Sequence, residues 1–138
     1  EGDKTYSFIE IATYSKNLSQ KIFDNDVDNS SGPVAVLLPK STEIIISNLA
    51  ILYSGNFYTN LDFKAPQERL IKLLSNLSPK LIITNDVGNA LLKKLDIDIE
   101  TLVDISDSMT LQESFNADRI NDVQKESIDV SPACIINT

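Results

Sequence analysis

Residues 34–38 read VAVLL, five apolar residues in a row with two β-branched members, closed by Pro39. A run like this has no polar face to give to water, so it suits a strand covered on both sides, as in the interior of a parallel sheet. The residues after Pro39 narrow the choice further. Ser41 is placed to cap a helix, Glu43 sits in its first turn near the positive end of the dipole, and Gly55 can stop it after Ser54. Ile44, Ile45, Ile46, Leu49, Ala50, Ile51 and Leu52 leave that helix little polar surface, which predicts a covering of protein around most of its circumference. The chain then turns at Gly55, runs extended over residues 57–61, and opens another helix with Pro66 in its first turn, where the missing amide proton is not needed. Strand, helix, strand, helix is the predicted order.

The flanking segments repeat the alternation. Ser7 and Glu10 have the spacing of a capping box, predicting a helix start, and Phe8, Ile11, Ala12, Ser15, Leu18 and Ile22 recur at helical spacing up to about Phe23. Leu70, Leu73, Leu74 and Leu77 form one stripe that Pro79 ends. Residues 81–84 predict a second interior strand, residues 87–95 a helix, and residues 101–105 a third strand. Thr110 and Glu113 predict a short helix through Phe115. Residues 116–131 show almost no apolar period and are expected to form a surface connection, and residues 133–136 (ACII) are strand-like again. Because no hairpin dipeptide separates these elements, the expected fold class is α/β: a mostly parallel twisted sheet with helices on both faces, residues 1–138 forming one domain. With 138 residues, 42% of them hydrophobic, the chain suffices for one ordinary core.

Charge and missing residue types exclude several functions. A net charge of −8, from 12 basic against 20 acidic residues, argues against a nucleic-acid partner. No apolar run approaches the roughly 20 residues of a membrane span, and the first residues lack the pattern of a signal peptide, so a cytoplasmic location is expected. With no histidine and a single cysteine, neither a Ser-His-Asp or Cys-His arrangement nor a zinc site can be assembled. Cys134 reads as a small buried hydrophobe, with a reactive thiol as the alternative. Asp24, Asp26 and Asp28 alternate like a calcium loop, but Asn29 stands where the turn glycine belongs and Ala35 where the bidentate glutamate belongs, leaving a solvated acidic connection. Asn17, Asn29 and Asn76 open glycosylation triplets by pattern only. With four glycines in the chain, and neither G-x-G-x-x-G nor G-x-x-x-x-G-K-S/T among them, a phosphate-cradling loop is not expected within these residues. No complete catalytic set is visible: catalytic residues none, metal ligands none.

Three ordered segments nevertheless resemble one family, the adenylate-forming (AMP-binding) enzymes, closest in style to the amino-acid adenylation domains of nonribosomal peptide synthetases. Ser7, Phe8, Glu10 and Ile11, with Leu18 in phase, are similar to its L-T-Y-x-E-L start. Val34, Ala35, Val36, Leu37, Leu38, Pro39, Ser41 and Glu43 match V-A-V-L-L-P-x-S-x-E. Residues 49–52, Gly55, Tyr58, Leu61 and Asp62 then fit L-K-A-G-x-A-Y-V-P-L-D, and Pro66, Glu68, Arg69 and Leu70 fit P-x-E-R-L. Ala133, Ile135, Ile136 and Thr138 are similar to A-Y-I-I-Y-T, after which the family continues into an S-G-S/T-T-G phosphate loop. Tyr53 departs from the usual lysine, Asn60 from the proline, and Cys134 and Asn137 from two tyrosines.

The resemblance implies that the chain is an amino-terminal piece of a larger domain, ending just before the phosphate loop and inactive by itself. It implies an intact enzyme that joins a carboxylate, an amino acid by motif style, to ATP with Mg2+, giving acyl-AMP and pyrophosphate. The acyl group then passes to a thiol, on a phosphopantetheine carrier protein or on CoA. It assigns one nucleotide contact here, Thr138; a strand-end threonine facing the core is the alternative. Asp62 and Arg69 are expected to hold a loop and not a ligand. An acyl-CoA synthetase or fatty-acyl-AMP ligase, a free-standing α/β binding module, and a flavodoxin-like cofactor carrier remain the competing readings.

Overall fold

The computed structural model describes residues 5–25, 32–96 and 102–126. Five helices and four strands alternate: α1 (Phe8–Asn25), β1 (Pro33–Leu37), α2 (Thr42–Tyr53), β2 (Phe57–Asn60), α3 (Gln67–Leu77), β3 (Leu81–Thr84), α4 (Asp86–Lys94), β4 (Leu102–Asp104), a 3-10 turn (Ile105–Ser108) and α5 (Ala117–Glu126). The strands form one sheet in the order β2-β1-β3-β4, and every pairing is parallel. The expected α/β class is what the chain adopts.

Alternation along the strands explains why their sequences are apolar throughout. Val34, Val36, Leu81 and Ile83 point to one face, where they pack with Leu18 and Ile22 of α1 and Ile46, Ala50 and Ile51 of α2. Ala35, Leu37 and Ile82 point to the other, against Leu70 and Leu74 of α3 and Leu92 of α4. Each large aliphatic side chain so buried contributes on the order of 1.5–3 kcal/mol. Both faces need apolar residues, so the period of two disappears from the sequence.

Local chemistry sets the ends of the elements. The box at α1 closes as expected: the Ser7 N–H donates to Glu10 Oε1 at 2.9 Å, and the Glu10 N–H donates to Ser7 Oγ at 3.1 Å. At the end of α2 the Gly55 N–H donates to the Leu52 carbonyl and the Asn56 N–H to that of Ile51, with Gly55 at φ 82°. This paired motif needs a left-handed residue, which glycine adopts without a Cβ penalty. Gly55→Ala is therefore expected to destabilise the chain by about 1–2 kcal/mol, read as a lower urea midpoint with unchanged slope.

Several expectations are corrected. Phe8, expected on the buried face of α1, is 80% exposed in the first turn, while Leu18 and Ile22 further along the stripe are fully buried. Ser41 takes the cap position of α2, yet its hydroxyl makes no capping bond and is buried without a partner. Around α2, Ile46, Ser47, Ala50 and Ile51 are buried while Ile45 is 54% exposed, so the covering is less complete than its composition suggests. The box at Thr110 opens no helix: its hydroxyl accepts the Gln112 N–H in a tight turn, and Asn17 takes up the carbonyls of Thr110 and Gln112. The expected surface connection contains α5 instead. Asn116 starts it by accepting the Arg119 N–H, and Ile120 is buried.

Candidate functional site

A doubly wound sheet binds ligands outside the carboxyl ends of its strands, where successive crossovers leave in opposite directions. Here β1 leads to α2 on one face while β3 leads to α4 on the other, so the switch falls between β1 and β3. A cleft of about 500 Å³ opens at that place. Its walls are Glu43 from the first turn of α2, Asn85, Asp86 and Val87 from the start of α4, Ser106 and Met109 after β4, and Tyr6 and Tyr14 from the α1 segment.

Each wall is fixed from below. The Thr84 hydroxyl donates to the Leu37 carbonyl at 2.8 Å, tying the ends of β3 and β1 together. Asn85 caps α4 by accepting the Gly88 N–H at 3.0 Å, and Asp104 accepts the Ser106 N–H at 2.8 Å. Gly88 lies so close to the strand ends that an added Cβ would stand 1.9 Å from Thr84 Oγ1 and 2.6 Å from the Leu37 carbonyl oxygen. Tyr6 and Tyr14 meet edge to face with ring centres 6.0 Å apart, and the Tyr14 hydroxyl donates to Glu10 Oε2 at 3.1 Å. Asn17, fully buried beneath them, donates to the carbonyls of Thr110 and Gln112 and accepts the Ser114 N–H at 2.9 Å, holding the segment after β4 against α1.

The electrostatics of this cleft are those of an acidic wall. Glu43 and Asp86 sit in the first turns of α2 and α4, so each helix's positive end is offset by its own carboxylate and does not face an incoming anion. Glu10 is held below its ordinary value of 4.5, first by the Ser7 N–H and then by the Tyr14 and Ser7 hydroxyls. Burial, and then the bond to Glu10, push the Tyr14 phenol up. Because the folded-state value of Glu10 is depressed, its stabilising effect is complete above about pH 4.5 and is lost as pH falls through the lower folded value. The difference in thermal midpoint between the native chain and Glu10→Gln is therefore expected to shrink on acidification below that point. A difference that grows instead would contradict the assigned bonds.

Two further grooves lie at the carboxyl ends of β1 and β2, one with Lys40, Asp62 and Lys64 in its walls and the other with Asp62, Lys64 and Arg69. Asp62 holds the loop there as expected, its Oδ1 accepting the Lys64 N–H at 2.9 Å, while Arg69 is exposed along the groove. Thr138, the one nucleotide contact expected from the sequence, lies outside the described residues, as do Cys134 and the Asp26 and Asp28 positions of the acidic connection. Among the described residues no group of three or more histidine, cysteine, aspartate or glutamate side chains could hold a metal ion. Sequence reasoning passes over Asn17 and Asn85. Asn85 is findable, being a capping residue directly after a strand, whereas nothing in the sequence marks Asn17 beyond a glycosylation pattern.

Comparison with known proteins gives these features a setting. The malpinin synthetase of Mortierella alpina is 29% identical over 109 residues, covering 75% of this chain, and a nonribosomal peptide synthetase of Fusarium vanettenii is 27% identical over 121 residues, covering 86%. The chain spans only 1% and 2% of the length of those two relatives. Among solved structures, a four-domain nonribosomal peptide synthetase bound to AMP and glycine superposes with a TM-score of 0.70 at 21% identity, covering 97% of this chain and 9% of the other. At that identity the likeness speaks for the fold alone. The family profile described as AMP-binding enzyme matches residues 1–138, the whole sequence, and on that match the chain belongs to the AMP-binding enzyme family.

Proposed function

We propose that the intact protein is an adenylate-forming ligase. It condenses a carboxylate, an amino acid in this reading, with ATP to give acyl-AMP and pyrophosphate, and passes the acyl group to a thiol such as carrier-bound phosphopantetheine. The observation that carries the proposal is the family match along all of residues 1–138. The amino-acid preference draws on the P-x-E-R-L form at Pro66, Glu68, Arg69 and Leu70, and on the Fusarium vanettenii relative named as a nonribosomal peptide synthetase. A cytoplasmic location belongs to this reading; no helix among the described residues is long and apolar enough to cross a membrane.

The described residues do not themselves fit ATP and Mg2+. The cleft at the switch point presents Glu43 and Asp86 to any phosphate, and the described residues offer no carboxylate cluster for a divalent ion. No chemical step is therefore assigned to them. In this reading their work is positional: the parallel sheet and its two helical layers hold the strand ends rigid, and Thr138 opens the loop that meets the nucleotide. The test is carboxylate-dependent ATP–pyrophosphate exchange by the intact protein with panels of amino acids and of fatty acids. Exchange with one or a few amino acids is expected. Exchange with fatty acids alone would move the assignment to an acyl-CoA or fatty-acyl-AMP ligase, and none with any carboxylate would remove it.

A further inference from the structure

We propose that the two adjoining grooves at the carboxyl ends of β1 and β2 dock an extended acidic peptide segment of a partner protein, anchored by one apolar side chain. The proposal rests on the side chains of the grooves and is independent of the ligase reading.

The first groove, of about 310 Å³, is mostly apolar. Leu38 and Leu61 are buried at its floor, and Pro39, Ile44 and Phe63 stand half-buried in its walls. Such walls keep apolar surface in water that an inserted aliphatic or aromatic side chain would cover, and a single anchor of this kind supplies much of a peptide's affinity. The second groove, of about 330 Å³, is polar and adjoins the first at Asp62 and Lys64, which line both. The loop between them is set before any partner arrives: the Leu61 N–H donates to the Val36 carbonyl at 2.9 Å, the Lys64 N–H to Asp62 Oδ1 at 2.9 Å and the Ala65 N–H to the Asp62 carbonyl at 3.0 Å. A loop so held loses little freedom on binding.

Charge selects the occupant. Lys40 lines the first groove, Arg69 the second and Lys64 both, and all three are exposed. The ion pair found between described residues joins Lys21 to Asp107, so among the described residues no carboxylate stands at pairing distance from any of these three cations. In a chain of net charge −8 they form a local positive excess, the opposite of the switch-point cleft, whose walls hold Glu43 and Asp86 and no basic residue. At physiological salt a charge is felt over about 8 Å, so a docked segment meets the neighbouring cations and not the total charge.

The place of Asp62 decides between a peptide and a compact anion. A phosphate lodged where the grooves meet would face the Asp62 carboxylate, and the Lys64 N–H that could hold it is already taken by that carboxylate. An extended chain can instead set its own carboxylates beside Lys40 and Arg69, with Asp62 between them. Both grooves are open to solvent, whereas a small-molecule site encloses most of its ligand.

The test is fluorescence anisotropy of the intact protein at physiological ionic strength with a labelled decapeptide holding one phenylalanine among four glutamates. Saturable binding is expected, weakened about fivefold by Lys64→Glu and unchanged by Lys93→Glu, an exposed cation of α4 outside both grooves. Lys64 bonds to Asp62 through its main-chain N–H, so the substitution keeps the loop, and an unchanged urea midpoint checks this. Lys40→Glu gives the same readout if Lys64→Glu does not fold. No saturable binding, as would follow if another part of the intact chain fills the grooves, overturns the proposal. So does equal loss in the Lys64 and Lys93 variants, equal binding of a peptide with serine for phenylalanine or lysine for glutamate, or full displacement by millimolar inorganic phosphate, which would mark a small-anion site. An intact protein that binds the peptide but shows no pyrophosphate exchange loses the proposed activity and keeps this surface; exchange without peptide binding does the reverse.

Discussion

Gly88→Ala is expected to destabilise the fold by about 2–4 kcal/mol, a large loss for one methyl group on a helix. Alanine normally favours a helix over glycine by roughly 1 kcal/mol, so propensity alone predicts the opposite sign. Contact decides it. The new methyl would stand 1.9 Å from Thr84 Oγ1 and 2.6 Å from the Leu37 carbonyl oxygen, and the second of these is backbone in the central strand. Moving Thr84 aside would also break its 2.8 Å bond to Leu37 and leave a buried hydroxyl and a carbonyl short of partners. Helix α4 must therefore retreat from the strand ends, and with it Asn85 and Asp86 at the cleft. Urea unfolding of Gly88→Ala and of the double variant with Thr84→Ala checks the cause. The double variant is expected to recover only part of the loss, because the Leu37 contact remains; full recovery would show that Thr84 alone sets the limit.

Asn17→Leu is expected to cost about 2–4 kcal/mol, in keeping with a buried side chain that serves several backbone groups at once. Leucine is of similar size, so the variant isolates lost hydrogen bonds from lost packing. The Asn17 amide donates to the Thr110 carbonyl at 2.9 Å and the Gln112 carbonyl at 3.1 Å, and its oxygen accepts the Ser114 N–H at 2.9 Å. Those three residues span the segment between the 3-10 turn and α5, which has no helix or strand of its own. Amide exchange should report the loss there first, with faster exchange at Ser114 and around Asn116, while the amides of β1 and β3 change only by the global destabilisation. Equal acceleration everywhere would contradict a local clamp.

Where the sequence is legible, each residue has one dominant local job. The apolar runs at β1 and β3 admit only a strand covered twice, Gly55 sits where a helix must end left-handed, and Ser7 with Glu10 close on each other without help from the rest of the chain. Where it misleads, a distant partner outweighs the local signal. Thr110 and Glu113 have the spacing of a helix start, but Asn17, more than ninety residues earlier in the chain, captures the carbonyls that such a helix would use. Helix α5 escapes a reading by periodicity because its surface is mostly polar and Ile120 is the one large aliphatic it buries among its described side chains.

The candidate site is legible only in part, for a related reason. A cleft at a switch point is made by topology, and neither the order of strands nor the placing of Glu43 and Asp86 in one cleft is written at any single position. The resemblance reaches the family correctly because it rests on framework residues: Val34, Val36 and Leu37 are buried, Gly55 turns the chain, and Asp62 holds its loop. Framework residues carry the fold, and it is the fold that they make legible.

The claim that residues 1–138 supply scaffold and not a reaction centre is most directly tested by measuring carboxylate-dependent ATP–pyrophosphate exchange for the intact protein beside the same residues alone. The expected result is exchange by the intact protein with an amino acid and none above background by residues 1–138. Exchange by residues 1–138 alone would contradict it, since a catalytic set would then have to exist within these residues.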